Sequence, residues 1–185
     1  YGDHRDLHLS LRRQRQMCIR DSNNAGINPV YDRLENADEK LFNKILDINT
    51  KSPFKLSNLA FKYMKKNKSG SIINISSVEG HKPDKGLGVY SISKAAISML
   101  TKSQAKEWGK YGVRSNAICP GLIKTKLSSV LWQNEEMLET WLGDLPIRRA
   151  GEPDEISGMA LYLASEASSY TTGETFNIDG GYMIN

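Results

Sequence analysis

The chain has 185 residues and a hydrophobic fraction of 39%, which is enough for the core of one domain. It has no apolar run long enough to cross a membrane, and its two cysteines do not form a disulfide framework, so we expect a cytoplasmic protein without a membrane partner. Half of the net charge of +4 falls on residues 1–22, which makes the overall basic balance weak support for a nucleic-acid partner.

Residues 1–22 differ in character from the rest of the chain. They lack the apolar centre of a secretory signal, and they can be interpreted as a basic arm for nucleic acid. However, Arg12–Asp21 (RRQRQMCIRD) resembles the translation of a transposon-type sequencing adapter, and Tyr1–His8 (YGDHRDLH) resembles its flanking primer in the same frame. We therefore interpret residues 1–22 as a non-native, unstructured segment, and we expect the biological sequence to begin near Asn23, in mid-domain.

The next segment combines a turn with two helices. Asn23-Asn24-Ala25-Gly26 is a turn signal, and its small residues would let the backbone approach a cofactor if a strand preceded it. That strand is expected to be missing. Apolar spacing predicts a helix over 38–48, a break between Asn49 and Pro53, and a second helix over 54–66.

A buried strand followed by polar residues forms the centre of the predicted site. The β-branched run Ile72–Ile75 predicts the strand, and Ser77 lies at its carboxyl end, where open α/β sheets bind ligands. The following helix brings Tyr90 and Lys94 to one face, at positions i and i+4. Because a nearby ammonium favours the phenolate, we expect the pKa of Tyr90 to fall from ~10 toward neutrality, as acid–base catalysis requires.

The second half of the chain alternates between helices and strands. The predicted elements are a helix to about residue 111, a strand over 113–118, a loop with a helical middle over 122–145, a helix over 153–164 and a strand over 173–179. Gly112 is the expected C-cap of the first helix. This alternation indicates an α/β fold with a parallel sheet. His81 is the only histidine after residue 22, so neither a histidine triad nor a zinc site is supported.

Six motifs in this order resemble the short-chain dehydrogenase/reductase family. They are NNAG at Asn23–Gly26, Asn49 in DIN, Ser77 in NISS, YSISK at Tyr90–Lys94, PGLIKT at Pro120–Thr125 and TGETFNIDGG at Thr172–Gly181. A lone YxxxK is a weak signal, but the ordered set is specific. The resemblance implies a Rossmann-like, doubly wound parallel sheet over 23–185 with its first βα units missing. It also implies an NAD(P)-dependent oxidoreductase that interconverts an alcohol and a carbonyl compound.

The resemblance further implies a role for each site residue. Tyr90 would exchange a proton with the substrate oxygen, Lys94 would lower the pKa of Tyr90 and bind the nicotinamide ribose, and Ser77 would hydrogen-bond the substrate oxygen. Asn49 would hold a water that links Lys94 to solvent. The residues expected to bind NAD or NADP are Asn24, Ala25, Gly26, Tyr90, Lys94, Pro120, Gly121, Ile123 and Thr125.

Simpler structural roles compete with three of these assignments. Ser77 can simply end a strand, Asn49 can be a helix cap or break, and Thr125 can be the N-cap of the next helix. For the whole protein, the alternatives are a non-catalytic, cofactor-sensing member of the family and a basic nucleic-acid-binding protein. The second alternative depends on residues 1–22 alone.

The departure from the family lies at the amino terminus. No G-x-x-x-G-x-G or G-x-G-x-x-G motif precedes NNAG, so we expect the pyrophosphate anchor and the NAD/NADP determinant to be missing. The 185-residue chain is accordingly expected to bind cofactor poorly and to be inactive. Family resemblance also predicts a homodimer or homotetramer joined through the two long helices, over 54–66 and 90–111. The substrate stays open among carbonyl, 3-oxoacyl and sugar compounds.

Overall fold

The computed structural model describes residues 20–29, 33–143 and 145–184. Its strands are β1 (Arg20–Asn23), β2 (Gly70–Ile75), β3 (Val113–Pro120) and β4 (Thr175–Ile178). Its α-helices are α1 (Glu39–Leu46), α2 (Ser52–Asn67), α3 (Gly88–Trp108), α4 (Ser129–Trp132), α5 (Glu135–Leu142) and α6 (Pro153–Ala164). Most of the segment interpreted above as non-native and unstructured, residues 1–19 of 1–22, lies outside the described residues.

The four described strands form one parallel sheet in the order β1-β2-β3-β4. Parallel neighbours need long crossover connections, and helices supply them here. On one face, Met64 of α2 and Trp108 of α3 pack against Ile72. On the other face, Leu163 of α6 packs against Ile73. Adjacent residues of β2 thus enter opposite cores, and the predicted α/β, Rossmann-like sheet with helices on both faces is confirmed.

A buried polar ladder joins the sheet to the helices beneath the NNAG turn. The Asn23 Nδ2 group donates to Asn74 Oδ1 at 3.0 Å and to Ser57 Oγ at 3.1 Å. Asn74 Nδ2 in turn donates to Thr101 Oγ1 at 2.9 Å and to Gln104 Oε1 at 3.1 Å. Because buried amides need partners, these bonds fix the end of β1 against β2, α2 and α3.

Strand β1 corrects two expectations about the start of the chain. Residues 20–22 pair in parallel with residues 71–73, so the strand before NNAG is present, and these three residues are not unstructured. The side chain of Arg20 also donates to the carbonyl of Ala164 at the end of α6. An edge strand is held through its backbone, so a short extended segment pairs with little regard to its side chains. The non-native origin of residues 1–22 stays a prediction.

The predicted break between Asn49 and Pro53 is wrong. The chain passes from α1 through a π-helical turn, Asp47–Lys51, directly into α2. Pro53 lies in the first turn of α2, directly after the π turn, where the regular bonding to the residue four positions back is already interrupted: the Ser52 N–H bonds the Asp47 carbonyl, five residues back. The extra residue of the π turn brings the Asn49 side chain inward, where it is 1% exposed. Such turns are frequent at functional sites.

Gly112 ends the helical segment as predicted. Its φ of 73° is left-handed, and a Cβ there would lie 2.3 Å from the Lys68 carbonyl oxygen, so only glycine fits. The predicted loop over 122–145 contains α4 and α5. No helix among the described residues is long and apolar enough to cross a membrane.

Candidate active site

A cleft of about 1500 Å³ opens where β2 and β3 reach their carboxyl ends. Parallel strands present their C-terminal residues at one edge, which is where α/β sheets bind ligands. The predicted residues that line it are Asn24, Gly26, Ser77, Tyr90, Lys94, Pro120, Gly121, Ile123 and Thr125. Ala25 and Asn49 are not among the lining residues. The cleft therefore gathers most of the predicted site from four separate segments.

Ser77 leaves β2 and caps the short 3-10 turn Val78–Gly80. Its Oγ accepts a hydrogen bond from the Glu79 N–H at 3.2 Å, and its side chain is close enough to Tyr90 to lower the pKa of the phenol. Gly80 lets this turn lie directly on α3, because a Cβ there would be 2.9 Å from the Ala95 nitrogen. Ser77 is thus more than the end of a strand: it faces the phenol.

Tyr90 and Lys94 lie one turn apart on α3, and both are buried. The Lys94 Nζ atom lies 5.5 Å from the centroid of the Tyr90 ring and donates to the Ile75 carbonyl at 2.9 Å. Ile75 is the last residue of β2, so the lysine crosses from the helix to the end of the strand. Tyr90, Lys94 and Ser77 therefore line the same cleft at the end of β2.

The pKa of Tyr90 moves against expectation. Burial, with a smaller contribution from the charge of Glu79, raises the pKa of Tyr90 to about 12, although the Ser77 side chain opposes that rise. Burial likewise lowers the pKa of Lys94 to about 8. The expected depression of the Tyr90 pKa is therefore not seen: burial of the phenol dominates its pKa, and the Lys94 ammonium donates to the Ile75 carbonyl instead.

Asn49 is neither a helix cap nor a break, so that alternative is wrong. Its Oδ1 accepts from the Ile27 N–H at 2.8 Å, while its Nδ2 donates to the Ile27 carbonyl at 2.9 Å and to Ser93 Oγ at 3.0 Å. A Cβ on Gly26 would lie 3.6 Å from Asn49 Oδ1 and 3.5 Å from Lys94 Nζ. Asn49 therefore pins the NNAG loop to α3, beside Lys94.

The PGLIKT segment, Pro120–Thr125, forms another wall of the cleft that Ser77, Tyr90 and Lys94 also line. It bridges to the segment before α6, since Lys124 N donates to the Gly151 carbonyl at 2.9 Å. A Cβ on Gly121 would lie 2.8 Å from the Cα atom of Asp179, which explains the glycine. Thr125 is not an N-cap, because that position of α4 belongs to Ser128, whose Oγ accepts from the Thr125 N–H at 3.2 Å.

Four further residues of the cleft were not among the predicted site residues. Glu79 and Asp84 come from the turn and loop after β2, Trp141 comes from α5, and Tyr182 comes from the C-terminal turn. Trp141 and Tyr182 stack with their centroids 4.8 Å apart. The sequence did contain a signal that could have indicated Glu79 as a site residue: it is a carboxylate two residues after Ser77 in an otherwise uncharged stretch.

Comparison with known proteins identifies relatives along nearly the whole described chain. The family model described as enoyl-(acyl carrier protein) reductase matches residues 22–183. Dehydrogenase/reductase SDR family member 4 of Oryctolagus cuniculus is 39% identical over 158 residues, covering 85% of this chain and 61% of its own length. Galactitol 2-dehydrogenase (L-tagatose-forming) of Cereibacter sphaeroides is 37% identical over 165 residues, covering 88% of this chain and 64% of its own.

Solved structures give the same result. A gluconate 5-dehydrogenase from Burkholderia cenocepacia, in complex with NADP and tartrate, matches with a TM-score of 0.87 at 30% identity, over 90% of this chain and 65% of its own. A 4-hydroxyisoleucine dehydrogenase mutant complexed with NADH and succinate matches with a TM-score of 0.88 at 31% identity, over 98% and 74%. The sequence matches, the shared sheet and the ordered motifs agree, and the chain belongs to the short-chain dehydrogenase/reductase family.

Proposed function

We propose that the protein is an NAD(P)-dependent oxidoreductase that interconverts an alcohol and a carbonyl compound. The observation that carries the proposal is the meeting of Ser77, Tyr90 and Lys94 in one cleft at the end of β2. The relatives named above are dehydrogenases or reductases, and two of the solved ones hold NADP or NADH. The chain spans 61% of the rabbit relative's length, so the proposal concerns the full-length protein.

In this proposal the cofactor, NAD or NADP, supplies or accepts the hydride. The residues of the chain that would hold it fit that task. Gly26 places no side chain against Lys94, whose Nζ atom would lie 3.5 Å from a Cβ there. The buried Asn28 Oδ1, which also lines the cleft, has no hydrogen-bond partner among the described residues. A ribose hydroxyl is a donor of the kind this oxygen lacks. The other residues proposed to hold it are Asn24, Ala25, Tyr90, Lys94, Pro120, Gly121, Ile123 and Thr125.

The proton chemistry is assigned to the chain itself. Ser77 hydrogen-bonds the substrate oxygen, and Tyr90 transfers the proton to or from that oxygen. With its pKa raised to about 12 by burial, Tyr90 is protonated at neutral pH and ready to donate. This favours carbonyl reduction near pH 7. Lys94 supplies the positive charge beside the developing phenolate, and Asn49 supports Lys94 through the NNAG loop and a bridging water.

The decisive experiment replaces Tyr90 with Phe in the full-length protein. NAD(P)H oxidation is followed with a panel of carbonyl substrates, and cofactor binding is followed by fluorescence. We expect turnover to fall by about 10²–10⁴-fold, while cofactor affinity is kept. The matched control is Tyr170→Phe, a fully exposed tyrosine. Retained turnover in Tyr90→Phe would remove Tyr90 from this role.

A second measurement concerns the 185 residues by themselves. We propose that they bind NAD(P)H weakly and turn over little substrate, because the sequence has no glycine-rich phosphate motif before Asn23. Titration of NADH and NADPH fluorescence with this chain measures the affinity directly. A dissociation constant in the micromolar range or below would contradict the proposal.

We also propose that the protein is a homodimer or homotetramer. Helix α2 leaves Phe54, Leu56, Leu59 and Tyr63 half exposed or more, and α3 adds Met99. An apolar surface of this kind is typical of an interface between subunits. The non-catalytic alternative loses support from the convergence of Ser77, Tyr90 and Lys94. The nucleic-acid alternative depends on residues 1–22, of which three are described.

A further inference from the structure

Glu79 is a buried carboxylate beside the proposed catalytic residues, and the reaction above does not use it. The residue is 7% exposed and lies in the 3-10 turn that Ser77 caps. Its Oε2 atom accepts from Ser91 Oγ at 3.0 Å and from the Asp84 N–H at 2.9 Å. Ser91 follows Tyr90 on α3. Glu79 therefore fastens the loop after β2 to the first turn of the helix that carries Tyr90.

A second set of contacts continues from Asp84 to the far wall of the cleft. The Tyr182 hydroxyl donates to Asp84 Oδ2 at 2.8 Å. The Tyr182 ring stacks on Trp141 of α5, with the two planes inclined by 5°. Three segments distant in sequence are thus linked in the order Glu79, Asp84, Tyr182, Trp141. All four residues line the cleft.

The electrostatics of this link depend on pH. Burial, together with the charge and side chain of Asp84, raises the pKa of Glu79 to about 7, against the opposing effect of the hydrogen bonds from the Asp84 N–H and Ser91. Tyr90 on α3 and Tyr182 in the C-terminal turn also interact electrostatically with Glu79, and Lys82 of the loop lies beside Tyr182. Lys82 Nζ lies 4.7 Å from the Tyr182 ring centroid. Burial, Asp84 and Glu79 together raise the pKa of Tyr182.

We propose that Glu79 and Asp84 share one proton and, through Tyr182, position the Trp141 wall of the substrate cleft. Two adjacent carboxylates cannot both be charged without repulsion, so loss of the shared proton weakens the link. Asp84 then moves away from Glu79, and the Tyr182–Trp141 stack loosens. Glu79, Asp84 and Tyr182 are positioning residues, because they affect the substrate only through the Trp141 wall of the cleft and through Tyr90. Only their effect on turnover rests on the proposed function.

The test on the 185-residue chain measures the fluorescence of Trp141 between pH 5 and 9. This signal is the difference between the fluorescence of the unaltered protein and that of the Trp141→Phe variant. We expect a transition with a midpoint near the Glu79 pKa of about 7. Glu79→Gln keeps the size of the side chain but removes its charge, so it is expected to abolish the transition. The matched controls, Glu136→Gln at the rim of the same cleft and His81→Gln in the same loop, are expected to keep it.

Two outcomes overturn the proposal: no transition in the unaltered protein, or the same midpoint in Glu79→Gln. If Glu79→Gln does not fold, Asp84→Asn replaces it. This variant is expected to move the midpoint down, because it removes the neighbouring charge that raises the pKa of Glu79. An unchanged midpoint in Asp84→Asn also overturns the proposal.

A kinetic arm uses the full-length enzyme. Above pH 7 the KM for substrate is expected to rise several-fold in the unaltered enzyme and to stay level in Glu79→Gln. An identical rise in both would contradict the positioning role. Complete absence of turnover in the unaltered enzyme would instead count against the proposed function. The fluorescence result would still test whether Glu79 and Asp84 share a proton.

Discussion

Two buried ionisable side chains, Tyr90 and Lys94, lie on one face of α3 with 5.5 Å between the ammonium nitrogen and the ring centroid. Burial disfavours the charged form of each, so it raises the pKa of the phenol to about 12 and lowers that of the ammonium to about 8. The mutual attraction expected from their i, i+4 spacing does not reverse this effect of desolvation. Tyr90 is therefore neutral and carries its proton at neutral pH.

The first residue-scale prediction concerns the direction of the reaction. Reduction needs protonated Tyr90 and oxidation needs its phenolate, and the pKa of Tyr90 is raised to about 12. Alcohol oxidation by the full-length enzyme should thus accelerate with pH from 7 to 10, with a slope of about one on a logarithmic plot. Carbonyl reduction should stay level over the same range. Initial rates in both directions test this, and an oxidation rate independent of pH would contradict it.

The second residue-scale prediction concerns stability at Lys94. Its pKa is lowered to about 8 in the folded state, so between pH 8 and its ordinary value the unfolded chain binds more protons. Stability from this group therefore rises with pH across that window, and its charged form is a cost at pH 7. Lys94→Met should stabilise the protein at pH 7 by about 1–2 kcal/mol, once the lost bond to Ile75 is subtracted.

Urea unfolding at pH 7 and pH 10 measures this effect, which should shrink at the higher pH. Lys51→Met, an exposed residue paired with Asp47, is the control and should change little. The same Lys94→Met variant should lose turnover in the full-length enzyme, because the cleft loses its ammonium. Destabilisation at pH 7 would show that the Ile75 bond outweighs the buried charge.

At the scale of elements, the π turn between α1 and α2 connects the fold to the site. It delivers Asn49 to the interior, where the amide bonds both backbone groups of Ile27 and the Ser93 hydroxyl. Ser93 lies on α3 between Tyr90 and Lys94. One side chain thus holds the NNAG loop at a set distance from the helix that carries the proposed catalytic pair.

The element-scale prediction is that Asn49→Ala releases this loop. Two backbone groups of Ile27 lose their partner, which should cost about 2–4 kcal/mol in the free energy of unfolding. Hydrogen exchange at the Ile27 amide should accelerate more than exchange in the centre of β2. Asn43→Ala, on the exposed side of α1, provides the control. Equal losses in the two variants would show that Asn49 has no special part in holding the loop.

At the scale of the whole molecule, the exposed apolar side chains of α2 and α3 mark the surface through which we propose that copies associate. We predict that Leu59→Glu and Met99→Glu shift the protein toward monomer, because each places a charge on that surface. Val130→Glu, an exposed apolar residue near the cleft, is the control and should leave the mass unchanged. Light scattering after gel filtration measures this. A monomeric unaltered protein at tens of micromolar would refute the interface.

Several elements of the fold and most residues of the candidate site could be predicted from the sequence. Local periodicity and motif spacing predicted β2, α3 and α6, and they brought Ser77, Tyr90 and Lys94 to one edge of a parallel sheet. These features depend on contacts between neighbours in the chain, which a sequence displays directly. The glycine at 112 was equally predictable, since a left-handed helix end selects that residue.

Tertiary structure decided the rest. Strand β1 forms through backbone pairing, which leaves no mark on side chains. The continuous helix through Asn49 depends on partners in two other segments. The pKa of Tyr90 follows from burial, a property of the complete packing around it. The hydrogen bond between Asp84 and Tyr182 joins residues 98 positions apart, and no local sequence pattern predicts a contact between residues so far apart. The sequence by itself therefore determined which chemical groups the site contains, whereas folding decided how those groups are charged and held, because charge and position depend on the whole surrounding structure.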